Sequence, residues 1–327
     1  MVAQCHDIRI GWMSHHIEGV EPLEAVLEAG FPIHAIITLE QDLLAKKSGA
    51  FDFEDIARRH DIPLVRIRNV NKPDSLAHLE SLALDYLFVI GWSQILREPA
   101  LALVKQGCFG AHASLLPANR GSAPINWAVI KGEAETGNTL MRLSAAVDAG
   151  DIIAQRRIEI TPFDNVGTLY HRVAETNRDM ILELIADLCA ERPLAPRQQE
   201  LDGSPLLPRR KPRDGVVDWN QPARAIYDFI RALTRPYPGA FSSFGGNRYQ
   251  IWRSAVLPAE GVLAEPGTVL GPVFSDQEEA CGLMLACGTG AIVVLEVENE
   301  QGDVLQGACL ATAGFAGVWS NEEVRRD

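Results

Sequence analysis

Residues 86–90 read YLFVI, an apolar run without the alternation of polar and apolar side chains that marks a strand with one face in water. Such a run is typical of a parallel strand that is covered by helices on both faces. Other short apolar runs precede and follow it, separated by segments with helical periodicity. The pattern predicts an α/β fold built on a doubly wound, mostly parallel sheet.

The predicted elements alternate along the first part of the chain. Strands are expected at residues 8–13, 33–38, 64–67, 86–90 and 108–112. Helices are expected at residues 22–30, 53–60, 74–82, 123–130 and 168–189.

The composition changes after residue 192. Residues 193–213 contain five prolines and the basic cluster Arg209, Arg210 and Lys211, which predicts a linker because proline cannot continue a helix. A helix at 223–234 and short strands at 249–254, 267–270, 283–287, 291–297 and 305–310 then predict a small β-barrel or sandwich. We therefore expect a first domain at 1–192, a linker at 193–213 and a second domain at 214–327.

The charge and the cysteines narrow the class of protein. With 43 acidic and 30 basic residues the net charge is −13, which disfavours binding to nucleic acid or to an anionic membrane surface. No apolar run approaches the ~20 residues that span a bilayer. The six cysteines are scattered without a Cys-x-x-Cys pair, so we expect reduced thiols, no metal site and a cytoplasmic protein.

Two segments qualify as ligand sites, because open α/β sheets bind ligands beyond the carboxyl ends of their strands. One is residues 91–94 (GWSQ), and the other is residues 112–117 (HASLLP), which begin with His112. Taken alone, His112 is more often a structural histidine than a catalytic one. The adjacent His15 and His16 lack an acidic partner at metal-ligand spacing and are expected on a loop surface.

A longer pattern around His112 gives this residue more weight. Residues 112–117 (HASLLP), Arg120-Gly121 and residues 148–151 (DAGD) resemble the signature H-x-S-L-L-P-x-x-R-G…D-x-G-D of the 10-formyltetrahydrofolate-dependent formyltransferases. His112 and Asp148 are 36 residues apart, the spacing of that signature. Residues 218–219 and 236–241 look like the start of the family's C-terminal domain, so the resemblance covers nearly the full chain. By eye it is closest to the sugar-nucleotide N-formyltransferases.

The resemblance implies a Rossmann-like catalytic domain, an OB-like C-terminal barrel and formyl transfer from 10-formyltetrahydrofolate to an amine. His112 and Asp148 would then form the acid–base pair, and Ser114 would hold the loop after His112. The resemblance also implies a set of residues that contact the folate: Gly91, Trp92, Ser93, Gln94, Ile95, Leu96, Ser114, Leu115, Leu116, Pro117 and Asp148.

Gly110 departs from the family pattern, which has Asn two residues before the histidine. Loss of one oxyanion donor costs about 10²–10³ in rate. The Gly110 backbone, a water in the vacated space, protonated His112 or a substrate group are the candidates to replace it. Gly110 is also expected to leave room for a bulkier acceptor or a different one-carbon donor.

The acceptor is expected to be a small amine, with an amino sugar carried on a nucleotide as the leading hypothesis. Residues 39–53 stand where methionyl-tRNA formyltransferases carry a basic loop, but here the segment is short and nearly neutral. The open alternatives are a methionyl-tRNA formyltransferase, a formyltetrahydrofolate hydrolase, a one-carbon or acyl transferase with a different donor, and a non-catalytic folate-binding protein. The sequence leaves the oligomeric state open.

Overall fold

A seven-stranded sheet contains the candidate site. The computed structural model describes residues 8–201, 203–257 and 261–320. Its first seven strands are β1 (Ile10–Met13), β2 (Ala35–Leu39), β3 (Leu64–Ile67), β4 (Tyr86–Val89), β5 (Gly107–His112), β6 (Glu135–Arg142) and β7 (Ile152–Glu159). They are ordered β3-β2-β1-β4-β5-β6-β7, with β1 to β5 parallel and β6 and β7 antiparallel. The predicted mostly parallel, doubly wound sheet is therefore confirmed.

Apolar residues cover both faces of this sheet, because successive side chains of a strand point to opposite faces. Trp12 and Phe88 lie in one buried cluster, together with Ile181 of the long helix α7 (Val166–Cys189). Met13 and Val89, the next residues along their strands, lie in a second cluster. This double burial explains why β1 and β4 are apolar without alternation.

Six helices follow the predicted positions with shifts of one or two residues at their ends: α7, α1 (Val20–Glu28), α3 (Glu54–Arg59), α4 (Pro73–Ser81), α6 (Pro124–Ile130) and α8 (Ala223–Leu233). The short helices α2 (Gln41–Leu44), α5 (Glu98–Leu101) and α9 (Gly307–Ala311) were not predicted.

The later part of the chain forms a separate antiparallel sheet, which confirms the predicted β-rich second domain. Its strands are β8 (Ala240–Phe244), β9 (Asn247–Leu257), β10 (Val269–Val273), β11 (Gly282–Ala286), β12 (Ala291–Asn299) and β13 (Val304–Gln306). The order is β10-β11-β12-β9-β8, and β13 pairs with β12.

Three strands were not predicted, and one predicted strand is partly wrong. β6 and β7 carry many polar residues, so they lack the apolar run by which the parallel strands are found. β8 directly follows a proline- and glycine-rich turn. The strand expected at 305–310 ends at Gln306, because Gly307 has a φ of 58° and begins the short helix α9.

The chain divides into two units, each made of several segments. The first takes the described parts of Met1–Pro124, Glu135–Glu159 and Leu169–Pro208, and the second those of Ile125–Ala134, Ile160–Thr168 and Arg209–Asp327. The domain boundaries 1–192, 193–213 and 214–327 stay predictions.

Every helix among the described residues is too short or too polar to cross a membrane. Within the same residues no group of three or more His, Cys, Asp or Glu side chains could hold a metal ion.

Cys108, Cys281, Cys287 and Cys309 are free thiols, whereas Cys189 is disulfide-bonded. The expectation of reduced thiols is therefore wrong for Cys189.

Candidate active site

The candidate site lies at the carboxyl ends of β1, β4 and β5. Because β1 is bonded to β2 on one side and to β4 on the other, the strand order reverses between β1 and β4. Ligands of doubly wound sheets bind at such a reversal. The loops that begin after Met13, Val89 and His112 all start at this edge.

His112 is the last residue of β5 and is 8% exposed. Its Nδ1 lies 3.5 Å from Asp148 Oδ1, and its Nε2 lies 2.9 Å from the backbone oxygen of Asn119. The two ring nitrogens thus lie near two oxygen atoms, one of a carboxylate and one of a backbone carbonyl.

Asp148 is held in place by its neighbours. Its φ is 49°, in the left-handed region that Asp tolerates better than most residues. Its Oδ2 accepts the N–H of Gly121 at 2.8 Å, and its backbone oxygen accepts from Gln199 Nε2 at 3.1 Å. The structure therefore brings together the two residues that the signature pairs.

Ser114 holds the loop after His112, as the sequence analysis expects. It is 1% exposed; its Oγ donates to Ala118 O at 2.7 Å, and its N–H donates to His112 O at 2.8 Å. Its backbone oxygen accepts from Thr139 Oγ1 at 2.7 Å, and Gln155 Nε2 donates to the same hydroxyl at 2.9 Å. Sequence reasoning missed Thr139 and Gln155 because they lie on β6 and β7, the two strands that it did not predict.

The rest of that loop packs inside the protein. Leu115 lies against Gly137. An ideal Cβ on Gly137 would lie 2.4 Å from Leu115 Cδ2, so the Leu115 side chain occupies the space of a side chain at position 137. Leu116 is buried beside Met141, and Pro117 follows it through a cis peptide bond. Contacts of these residues with a folate stay predictions.

The loop after β4 is tied to the sheet through side chains. Gln94 accepts the N–H of Val70 at 2.8 Å and donates to Arg68 O at 2.9 Å. Trp92 packs in the second apolar cluster, and its buried indole N–H has no acceptor within the described part of the chain. Ile95 is 55% exposed, whereas Leu96 is buried. Gly91 has a φ of 62°.

The space beside Gly110 is filled by Leu143. An ideal Cβ on Gly110 would lie 2.6 Å from Leu143 Cδ2, too close for two carbon atoms. A side chain at position 110 would therefore meet Leu143, and the expectation that Gly110 leaves room for a water or a bulkier acceptor stays a prediction.

Three titratable residues after β1 also belong to this edge. His15 is 4% exposed, and its Nε2 accepts the N–H of Ser93 at 3.1 Å, so the expected surface position of this histidine is wrong. Burial lowers the pKa of His15 and of His16 from 6.5 to about 4, so both rings are neutral at pH 7. Burial raises the pKa of Glu18 from 4.5 to about 7. No pattern in the sequence signals that Glu18 is buried.

Family comparison agrees with the fold and the signature. Residues 32–185 match the family described as formyl transferase, and residues 209–313 match the formyl transferase C-terminal domain. The two matches together cover more than half of the chain. The chain belongs to the formyl transferase family.

Solved structures with the same fold include two enzymes of similar length. The sugar 3N-formyltransferase WlaRD, crystallised with dTDP and 5-N-formyl-THF, is 18% identical, with a TM-score of 0.62 over 90% of this chain and 98% of that one. An N-formyltransferase from Helicobacter canadensis, in complex with folinic acid and dTDP-3-aminofucose, is 18% identical. Its TM-score is 0.64 over 88% of this chain and 98% of that one.

HypX from Aquifex aeolicus, in complex with tetrahydrofolic acid, has the same fold over a longer chain. It is 18% identical, with a TM-score of 0.62 over 92% of this chain. The chain spans only 46% of HypX.

Proposed function

We propose that this protein transfers a formyl group from 10-formyltetrahydrofolate to the amino group of a small molecule, an amino sugar carried on a nucleotide. The observation that carries the proposal is the His112–Asp148 pair, 3.5 Å apart at the carboxyl end of β5. The folate and aminosugar ligands of the Helicobacter canadensis enzyme, which has the same fold, support this choice of donor and acceptor.

The residues around the β4 loop fit a folate donor, which supplies a formyl carbon bound to nitrogen. Trp92, Leu96 and Leu143 belong to the second apolar cluster, which in this proposal meets one face of the flat heterocycle, and the buried indole N–H of Trp92 has no acceptor among the described residues. Residues 91–96 and 114–117 and Asp148 are the proposed folate contacts.

His112 and Asp148 act as the acid–base pair in this proposal. Asp148 lies beside one ring nitrogen of His112 and orients the ring, and the other ring nitrogen, 2.9 Å from Asn119 O, is the one that exchanges a proton with the reacting nitrogen atoms. When it is protonated, His112 also stabilises the oxyanion, a task that Gly110 cannot perform through a side chain.

A small acceptor fits the segment after β2 better than tRNA does. Asp42 pairs with Arg68, Asp52 pairs with Arg66, and Lys47 donates to Ser93 Oγ at 3.0 Å. Binding to a phosphate backbone requires several lysines or arginines that face solvent. Here Asp42, Asp52 and Lys47 are engaged within the protein, and the segment stays nearly neutral.

The test supplies the purified protein with 10-formyltetrahydrofolate and, in separate reactions, dTDP-3-aminofucose, UDP-4-amino-4-deoxy-L-arabinose, methionyl-tRNA and buffer alone. The proposal expects an N-formylated sugar nucleotide, and His112→Ala abolishes its formation. Formylated tRNA alone, or consumption of the donor without an amine, would replace the proposal with a tRNA enzyme or a hydrolase. Folate binding without turnover would indicate a non-catalytic protein.

The cytoplasmic location stays a prediction.

A further inference from the structure

The segment from Arg197 to Leu207, which lies within the predicted linker, is bonded at both of its ends to the loops around the candidate acid–base pair. Arg197 pairs antiparallel with Ile152, the first residue of β7, through two backbone hydrogen bonds of 2.8 Å. Leu207 donates its N–H to Arg120 O at 2.7 Å, and its own oxygen accepts the N–H of Ser122 at 3.0 Å. The segment therefore belongs to the first unit of the chain.

Gln199 is a buried side chain of this segment. It is 7% exposed, whereas its neighbours Gln198 and Glu200 are exposed. Its amide nitrogen donates to two backbone oxygens of one turn, Asp148 O at 3.1 Å and Gly150 O at 2.6 Å. A primary amide has two N–H groups, so both of them are used on this turn. Its Oε1 is buried without a donor within the described residues, so the hydrogen bonds of the side chain go to the turn alone.

The turn needs this support because its backbone is unfavourable. Asp148 has a φ of 49°, a conformation that costs energy in any residue with a Cβ and persists only where the surroundings hold it. Gly150 lies so close to the end of β6 that an added Cβ would overlap the backbone oxygen of Arg142. Contact with β6 and the two hydrogen bonds from Gln199 thus fix the turn together.

The carboxylate of Asp148 follows its backbone, since a single methylene group separates the two. Its Oδ1 lies 3.5 Å from His112 Nδ1, and its Oδ2 accepts the N–H of Gly121 at 2.8 Å. Gly121 stands between the two residues whose backbones are bonded to Leu207. The same segment therefore holds Asp148 twice, through Gln199 at its backbone and through the loop of Gly121 at its carboxylate.

We propose that Gln199 is a positioning residue of the candidate active site, whose amide holds the turn at Asp148 so that the carboxylate faces His112. The inference rests on the proposed function, in which this pair exchanges protons with the reacting nitrogen atoms. Gln199 contacts the backbone of Asp148 and acts through the geometry of the pair. Such geometry matters, since a displacement of about 1 Å can cost about 10²-fold in rate. The two family matches cover residues 32–185 and 209–313, and neither includes Gln199.

The test compares Gln199→Met with the unchanged protein and with Gln198→Met, the exposed control next to it. Methionine has nearly the volume of glutamine but no N–H group, so Gln199→Met removes the two hydrogen bonds and retains the packing. Rates of N-formylation are measured with 10-formyltetrahydrofolate and dTDP-3-aminofucose or UDP-4-amino-4-deoxy-L-arabinose. They are expressed per folinic acid binding site, which excludes unfolded protein. Gln199→Met is expected to lower kcat about 10- to 100-fold, and Gln198→Met retains the full rate.

A double-mutant cycle with Asp148→Asn distinguishes positioning from a general loss of structure, and single-turnover reactions with excess protein measure its slow variants. If Gln199 acts through the Asp148 carboxylate, adding Gln199→Met to Asp148→Asn lowers the rate by less than about 2-fold. If the two losses multiply in full, the positioning role is overturned. Should Gln199→Met not bind folinic acid, Gln199→Asn takes its place in the cycle, because its shorter amide cannot reach both oxygens.

The outcomes separate this inference from the function on which it rests. If the unchanged protein formylates the amine and Gln199→Met is as fast as Gln198→Met, the role of Gln199 is overturned and the proposed function stands. If the unchanged protein formylates neither sugar nucleotide, both proposals fail together.

Discussion

Leu143 occupies the space into which a side chain at Gly110 would extend, and an ideal Cβ at position 110 would lie 2.6 Å from Leu143 Cδ2. The two residues therefore form a matched pair in which the absence of a side chain at one position is compensated by the leucine at the other. Restoring the family's carboxamide at position 110 therefore requires the Leu143 side chain to shift.

We expect Gly110→Asn to destabilise the protein by about 1–3 kcal/mol, the usual cost of overpacking. Gly110→Asn with Leu143→Ala is expected to recover most of that loss and to transfer the formyl group faster than Leu143→Ala alone, because the double variant regains a carboxamide donor. Urea unfolding and the formylation assay measure the two effects. A Gly110→Asn variant as stable as the unchanged protein would show that Leu143 moves aside freely.

Asp148→Asn tests the charge beside His112. The amide oxygen can still accept the N–H of Gly121, so the fold should be retained, but the variant can no longer stabilise an imidazolium ring. We expect formylation to fall at least about 100-fold with little change in Tm. Asp151→Asn, in the same turn, serves as the control. Equal losses in both variants would assign the effect to the turn rather than to the charge.

His16→Asn tests the contribution of a buried neutral histidine to the pH dependence of stability. Burial lowers the pKa of His16 to about 4, so between pH 4 and 6.5 the unfolded chain binds more protons than the folded chain. The stability that the neutral His16 ring contributes is therefore complete above pH 6.5 and is lost as the pH falls toward 4. The asparagine oxygen can replace Nδ1 as acceptor for the N–H of Glu18.

The free energy of unfolding should therefore fall less in His16→Asn than in the unchanged protein when the pH is lowered from 6.5 to 4, by about 3 kcal/mol. Urea unfolding across this range measures the difference, with the exposed His78→Asn as control. Parallel profiles for His16→Asn and the unchanged protein would mean that His16 is protonated in the folded state.

Gly91→Ala tests the close packing of the β1 loop on the end of β4. The added Cβ would meet His16 Cβ at 2.8 Å, and the φ of 62° is unfavourable for alanine as well. Gly30→Ala is the matched control, since Gly30 has a φ of 79° but no atom within 4 Å of an added Cβ. We expect a loss of about 1 kcal/mol in the control and of 2 kcal/mol or more in Gly91→Ala. Equal losses would show that only the backbone angle matters.

Local information in the sequence was enough for the parallel part of the first sheet. β3, which is only partly buried, has the predicted bounds. β4 ends one residue before the predicted strand, and it was visible in the sequence because a strand buried on both faces needs a short apolar run. The antiparallel β6 and β7 were not visible, since their polar residues are compatible with a strand only through pairing with each other and, for β6, with β5.

The sequence by itself determined the α/β class, the β-rich second domain and the candidate pair His112 and Asp148, because these depend on periodicity and on a spaced motif. Only the tertiary structure decided that Leu143 fills the space at Gly110 and that Glu18 lies nearly buried against Gly91. Both relationships join residues from different strands or loops. They follow from strand register and from how loops pack at the sheet edge, and neither is encoded in any short stretch of the chain.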